Sequence, residues 1–326
     1  LLIVPPALSA CRTVRQLLTV DRGTLRDVHR LDAPSRTPNA RTLLTAELLR
    51  HRRALGLRPR SSMPSQKHPT AIEASYGGLL TKMVDRARDA YKPLLAELPD
   101  IVSAAKQARG DGLRWDAGEG KRAREAVARA RRAMQQALPT DEIEAVARKF
   151  AAQTQTSQRI QLGNQLHHAL GMDVLQHVGE VPNLPALVDQ FVAENVSLIS
   201  SIPDVMGTDI DKIVTRGLTS GTPVDQLRSD ITSRFGVSER HARVIARDQV
   251  GKLYGQVNQV RQKALGIDEF EWETVGDERV RDEHQALNGK RFRWDSPPSE
   301  GIPGEPIQCR CTAQPVLDNL LDLLGD

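Results

Sequence analysis

The residues best suited to chemistry are crowded into the last fifty positions of the sequence. Cys309-Arg310-Cys311 sets two thiols two residues apart, and in extended backbone residues i and i+2 point to the same side. Upstream, His284 and Asp277 supply an imidazole and a carboxylate. Soft thiolates and an imidazole in a tetrahedral arrangement suit zinc. His284, Cys309 and Cys311, with Asp277 as fourth ligand, are therefore one candidate structural zinc site. The Cys-x-Cys gap is tighter than is usual for zinc, and the set holds a single histidine. The same residues support a second reading, a buried polar cluster in which His284 hydrogen-bonds Asp277 and the thiols pack as small hydrophobes. A disulfide within the extended i, i+2 pair has the wrong geometry.

Catalysis is a third use for these groups. His284 would serve as general acid or base and Arg281 would stabilise a phosphate-centred transition state, as in a small phosphodiesterase or ADP-ribosyl-transfer enzyme. The region has no second histidine, no paired carboxylates at a metal spacing and no phosphate loop. His167, His168 and His177 fall in a weakly patterned helical stretch and read as ordinary surface histidines. The expectation is a protein that is not an enzyme.

These groups need elements to place them. Phe270-Glu271-Trp272-Glu273 and Arg291-Phe292-Arg293-Trp294 alternate aromatic and charged residues, the period of a strand with one apolar face. Strands at 270–274 and 291–294 should share one sheet, with Glu271 and Glu273 meeting Arg291 and Arg293 across the ladder. Between them a helix from about Glu278 to Leu287, capped by Asp277 and stopped at Asn288-Gly289, would put Asp277, Arg281 and His284 on one face. Tyr254, Phe270, Trp272, Phe292 and Trp294 concentrate scarce aromatic material in one C-terminal core, since aromatics make up only 3% of the chain.

Upstream the pattern is helical. Tyr76, Leu80, Met83 and Ala87 share a stripe in a helix spanning 71–98 that Pro93 should kink or interrupt. A Gly/Asp-rich loop at 110–120 precedes a basic helix from Lys121 to Ala137, read as a solvated face with alanine packing beneath rather than a phosphate-binding face. Further helices start at Thr140 and at Asn183-Leu184-Pro185. Thr222-Pro223-Val224-Asp225 reads as an N-cap leading to a helix that Gly236 stops. Ser238 then caps a second, running to Leu265 and about 40 Å long. The fold class expected is mainly α with a small α+β C-terminal module, long helices leading into a compact domain with a short sheet.

Charge separates the chain into parts. Residues 1–62 hold twelve Arg, no Lys and four acidic residues, whereas residues 63–326 carry 33 basic and 37 acidic side chains. The basic excess thus belongs to the first segment. That segment reads as poorly packed sequence upstream of a true start at Met63, with an Arg-rich nucleic-acid arm as the alternative. The three cysteines are too few for a disulfide scaffold, and no transmembrane run or signal peptide is legible. The expected domains are 1–62, a helical region at 63–184, and 185–326.

The ordered set of Ile245-Ala246-Arg247-Asp248-Gln249 on a long helix, Trp272-Glu273-Thr274, Asp277 to Arg281, His284, Leu287-Asn288-Gly289, Pro303-Gly304 and Cys309-Arg310-Cys311 resembles the phage Mu protein F-like head morphogenesis family. The resemblance covers roughly 185–317, with Trp272, Asp277, Arg281, His284, Gly289 and Arg310 among the residues that carry it. It implies a minor head protein of a tailed bacteriophage or prophage. Such a protein is built into the procapsid near the portal after synthesis in the host cytoplasm, and contacts portal and capsid or scaffold proteins, but no membrane. Double-stranded DNA is a further partner the family context implies, and non-specific DNA binding is the alternative function.

Overall fold

The computed structural model describes residues 63–110, 119–171, 174–176, 181 and 183–318. The expectations for 1–62, most of the Gly/Asp-rich loop and His177 lie outside the described residues. Six long helices come first: α1 Thr70–Asp89, α2 Lys92–Gly110, α3 Glu119–Gln136, α4 Thr140–Leu170, α5 Leu184–Ser220 and α6 Val224–Ala264. The C-terminal module follows as β1 Glu269–Glu273, the one-and-a-half-turn α7 Asp282–Leu287, β2 Arg291–Arg293 and β3 Thr312–Pro315. No described helix is long and apolar enough to cross a membrane.

Helix α6 is central among the described elements and contacts α1, α2, α4, α5 and β3. Its buried stripe includes Leu227, Ile231, Phe235, Ala242, Ile245, Val250, Leu253 and Val257. At 1.5 Å per residue its 41 residues span about 60 Å. The expected break at Gly236 does not occur. Gly in a helix interior costs only about 1 kcal/mol relative to Ala. Here Phe235 is buried on one side, and on the other Ser238 Oγ bonds the Arg234 carbonyl and Met206 Sδ, so tertiary packing carries the helix through. Nor does Thr222 cap it. The N-cap position is Pro223, and the Thr222 hydroxyl meets Ser220 instead. Pro93 falls in the first turn of α2 after a break at Ala90-Tyr91, where a proline lacks no needed N–H.

Tyr76 of α1 stacks on Phe150 of α4 at 4.5 Å and donates to Asn195 of α5, whose amide in turn bonds Gln249 of α6. The basic helix α3 packs through Ala123, Ala126, Val127, Ala130 and Met134. Arg129 pairs with Glu97 at 2.8 Å and Arg131 with Asp204 at 2.6 Å. Part of its charge is thus neutralised by neighbouring helices.

The sheet order is β2-β1-β3, antiparallel throughout. Phe270 lies opposite Phe292 and Glu271 opposite Arg291, but Arg293 faces Glu269 rather than Glu273. Glu271 approaches Arg291 at 4.0 Å only, and Arg293 closes a fork on Asp295. Exposed guanidinium groups take the nearest carboxylate, which for Arg291 is that of Asp318 and for Arg293 that of its sequence neighbour Asp295. Phe270, Trp272 and Trp294 are buried with Ile302, Cys309, Cys311 and Ala313, flanked by Leu287 and Phe292. Tyr254 does not join them. Its hydroxyl donates to Gln66 in a separate polar core.

That polar core ties the residues before α1 to the module. The Gln66 amide nitrogen reaches Gln165 on α4 and Asn258 on α6, and its backbone N–H bonds the Gln314 side chain on β3. Asn258 and Gln262 both donate to the Ala313 carbonyl, and Trp294 Nε1 donates to Gln262. Buried amides are tolerated only when satisfied, and here each satisfies another.

Candidate metal centre

The expected helix at 278–287 is shorter than its pattern suggests. Asp277 accepts the Arg279 N–H at 3.1 Å and its carbonyl accepts that of Val280, forming a turn, and Arg281 is extended at ψ 149°, so helix α7 starts only at Asp282. The side-chain–backbone turn at Asp277 competes with helix and wins. Asp277, Arg281 and His284 therefore do not share a helical face. Each instead grips a different point of the segment 307–311.

Asp277 takes both arms of the Arg310 guanidinium, at 2.7 and 2.8 Å, and this hydrogen bonding holds its carboxyl below the usual range. Arg281 donates to the Ile307 carbonyl. His284 Nδ1 lies 3.6 Å from Cys309 Sγ and 3.5 Å from Cys311 Sγ, and all three side chains are buried. The Asp277–His284 hydrogen bond of the polar-cluster reading is not formed. Asp277 is also not a fourth ligand, since its carboxylate is committed to Arg310.

The thiols owe their aim to a tight loop seated on bare helix backbone. A Cβ on Gly255 would stand 2.2 Å from the Pro303 carbonyl oxygen, and one on Gly251 would stand 3.0 Å from that of Cys309. Gly304, at φ +96°, closes the approach from the loop side. Gln308 is the only described non-glycine residue at positive φ, 56°. Its N–H is taken by Asp248 on α6 at 3.1 Å, which holds this uncommon conformation immediately before Cys309. Arg247, one residue earlier on α6, is held by Glu73 at 2.7 Å, and Glu73 also meets His68 at 2.9 Å. Sequence pattern alone singles out none of Glu73, Gly251, Gly255 or Gln308, although two glycines four apart on a long helix signal a close backbone approach.

Electrostatically the two sulfurs share a proton. The hydrogen bond from Cys311 favours a thiolate at Cys309 and brings it down to about 6, helped by backbone N–H groups of Gly304 and Cys311. The same bond, with burial, pushes the Cys311 thiol up. The Trp272 indole N–H is buried with no well-formed hydrogen bond, and it favours a thiolate at Cys311. The Trp272 ring also stands edge-on to His284 at 5.3 Å.

The donor set fits zinc. The three ligand atoms lie within 4.8 Å of one another. Ordinary zinc–sulfur and zinc–nitrogen bonds at a tetrahedral angle put nitrogen and sulfur about 3.6 Å apart. One Nδ1–H points along one direction and would favour one sulfur, whereas Nδ1 stands almost equally far from both.

Residues 208–314 match the model of the family described as phage Mu protein F like protein. By this segment the chain is similar to the phage Mu protein F-like family. The matched span sits inside the 185–317 expected from the sequence. A protein of Haemophilus influenzae described as uncharacterized is 30% identical over 181 residues, covering 55% of this chain and 40% of the relative. The match thus spans less than half the length of that relative. No solved structure matches the chain. The Mu F-like segment runs from within α5 to Gln314 of β3 and contains every residue of the thiol–imidazole cluster. Gln66 and Glu73, which brace it, lie outside.

A cavity of about 220 Å³ beside the cluster is lined by His284, both cysteines and the arginines 247, 279, 281 and 310. Another cavity, of about 680 Å³, lies away from this chemistry beside Arg148, Arg159 and Arg261. Arg261 is buried there, its guanidinium donating to the Gln155 carbonyl and the Gln158 side chain, and burial lowers it to about 10. It remains a cation at neutral pH and fastens α6 to α4.

Proposed function

We propose that the protein is a minor head protein of a tailed bacteriophage or prophage, incorporated into the procapsid near the portal and acting by assembly rather than by turnover. The observation that carries this reading is the Mu F-like match enclosing a rigidly braced module whose buried core is assembled from β1, α7 and the 302–311 loop. We further propose that His284, Cys309 and Cys311 hold a structural zinc ion. The ion would join α7 to the loop and β3, and the thiol–imidazole spacing supports it. Partners are portal and capsid or scaffold proteins. Direct DNA binding is the weaker reading, because residues 63–326 have more acidic than basic side chains and α3 spends Arg129 and Arg131 on neighbouring carboxylates.

Composition of purified heads tests the function. In particles from cells expressing the head genes with a tagged copy of this chain, it should co-sediment with portal-containing procapsids at a few copies per particle. It should also stay bound after nuclease treatment and in high salt. Absence from portal-containing particles, or release by nuclease, contradicts the assignment and favours the DNA-binding reading.

A further inference from the structure

A zinc ion held by His284, Cys309 and Cys311 has three protein ligands among the described residues, one short of the four that closed structural sites use. The acidic side chain expected as the fourth ligand, Asp277, is committed to Arg310. The cavity beside the cluster has four arginines and no acidic residue in its lining. Arg310 and Arg247 already hold Asp277 and Glu73, but Arg279 and Arg281 are exposed and form no ion pair with a described carboxylate. Two thiolates and a neutral imidazole cancel the charge of the ion, so the arginines set the sign of the cavity, and it is positive.

We infer that the fourth ligand is a carboxylate from outside the chain, an acidic side chain of a protein partner entering the arginine-lined cavity beside His284, Cys309 and Cys311. The inference rests on the zinc reading above. Carboxylate oxygen is an ordinary zinc ligand, and arginine forks are matched to its geometry. The Arg310–Asp277 pair shows such a fork at the cavity's edge. A volume of about 220 Å³ admits a side-chain carboxylate. A nucleic-acid phosphodiester would have to bring a polyanion to a body with an acidic excess, which disfavours it. The site is then a latch: the metal fixes the module, and a partner's acidic residue completes the metal.

The full chain loaded with cobalt(II) tests this, because the visible d–d absorption of cobalt reports its ligands. Acetate should change that spectrum saturably. Replacing Arg279 and Arg281 together by Gln should weaken acetate about tenfold or more, given the strength of charge-assisted hydrogen bonds. Arg279→Gln alone, which removes no hydrogen bond to the loop, should leave the spectrum before acetate unchanged and weaken acetate in the same direction. No spectral response to acetate, or equal affinity in the arginine variants, overturns the inference while leaving the metal reading intact. A response to inorganic phosphate without one to acetate also overturns it, in favour of a phosphodiester ligand. Failure to bind cobalt overturns the metal reading itself.

Discussion

Replacing Gly255 with valine is expected to lower stability by about 3 kcal/mol or more and to release the 302–311 loop. The reason is geometric: the Cβ would lie 2.2 Å from the carbonyl oxygen of Pro303. The obstruction is backbone, not the end of a flexible side chain, so either α6 or the loop must move. Overpacking in a close-packed core costs about 1–3 kcal/mol, occasionally more, as side chains and backbone shift to admit it, and here the backbone itself must give way. Chemical denaturation of both proteins measures the cost. Accessibility of Cys309 and Cys311 to a thiol reagent shows where it falls, since both are buried in the native protein. Gly78, with nothing within 4 Å of its would-be Cβ, is the control, and Gly78→Ala should be neutral or stabilising. A Gly255→Val protein with unchanged stability and protected thiols would refute the close seating of the loop on α6.

Gln66→Ala should be nearly as costly, at about 3 kcal/mol, although Gln66 stands far from the cluster in sequence. Its side chain bonds Gln165, Asn258 and Tyr254, all buried. Truncation strands two polar groups, the Gln165 carbonyl oxygen and the Tyr254 hydroxyl, while Asn258 keeps its donors Gln158 and Gln262, and an unsatisfied buried group costs about 1–3 kcal/mol. Burial has already pushed the Tyr254 hydroxyl well above its ordinary range, so it cannot escape by ionising. The loss should appear in thermal unfolding and as faster amide exchange in β3, because the Gln165 side chain that Gln66 holds also donates to Gln314 on β3. Exposed Lys82→Ala on α1 should change neither. Unaltered exchange in β3 would mean that the polar core does not couple the two parts.

The different legibility of these features has physical causes. The strands at 269–273 and 291–293 were readable because alternating aromatic and charged residues leave one solution for a half-buried sheet. The thiol–imidazole cluster was readable because Cys309, Cys311 and His284 are rare residue types. The role of Asp277 was not, because a carboxylate chooses between metal, backbone and arginine by three-dimensional proximity, and Arg310 lies between the two cysteines. Gly236 misled because intrinsic propensity is weak against the packing of Phe235 and Ser238. The amide core of Gln66, Gln165, Asn258, Gln262 and Gln314 left no periodic signal at all. Glutamines on helices ordinarily read as surface, and only the convergence of α4, α6 and β3 buries them together.

Metal content tests the central claim most directly. The full chain, purified without added metal and without chelating steps, should contain one zinc per chain by elemental analysis. Cys309→Ser and His284→Ala should each reduce this to a small fraction, with a lowered melting temperature that a strong chelator reproduces in the parent protein and not in the variants. A parent protein that carries no zinc, takes none up, and melts identically with and without chelator would contradict the account, leaving His284, Cys309 and Cys311 as a packed thiol–imidazole cluster.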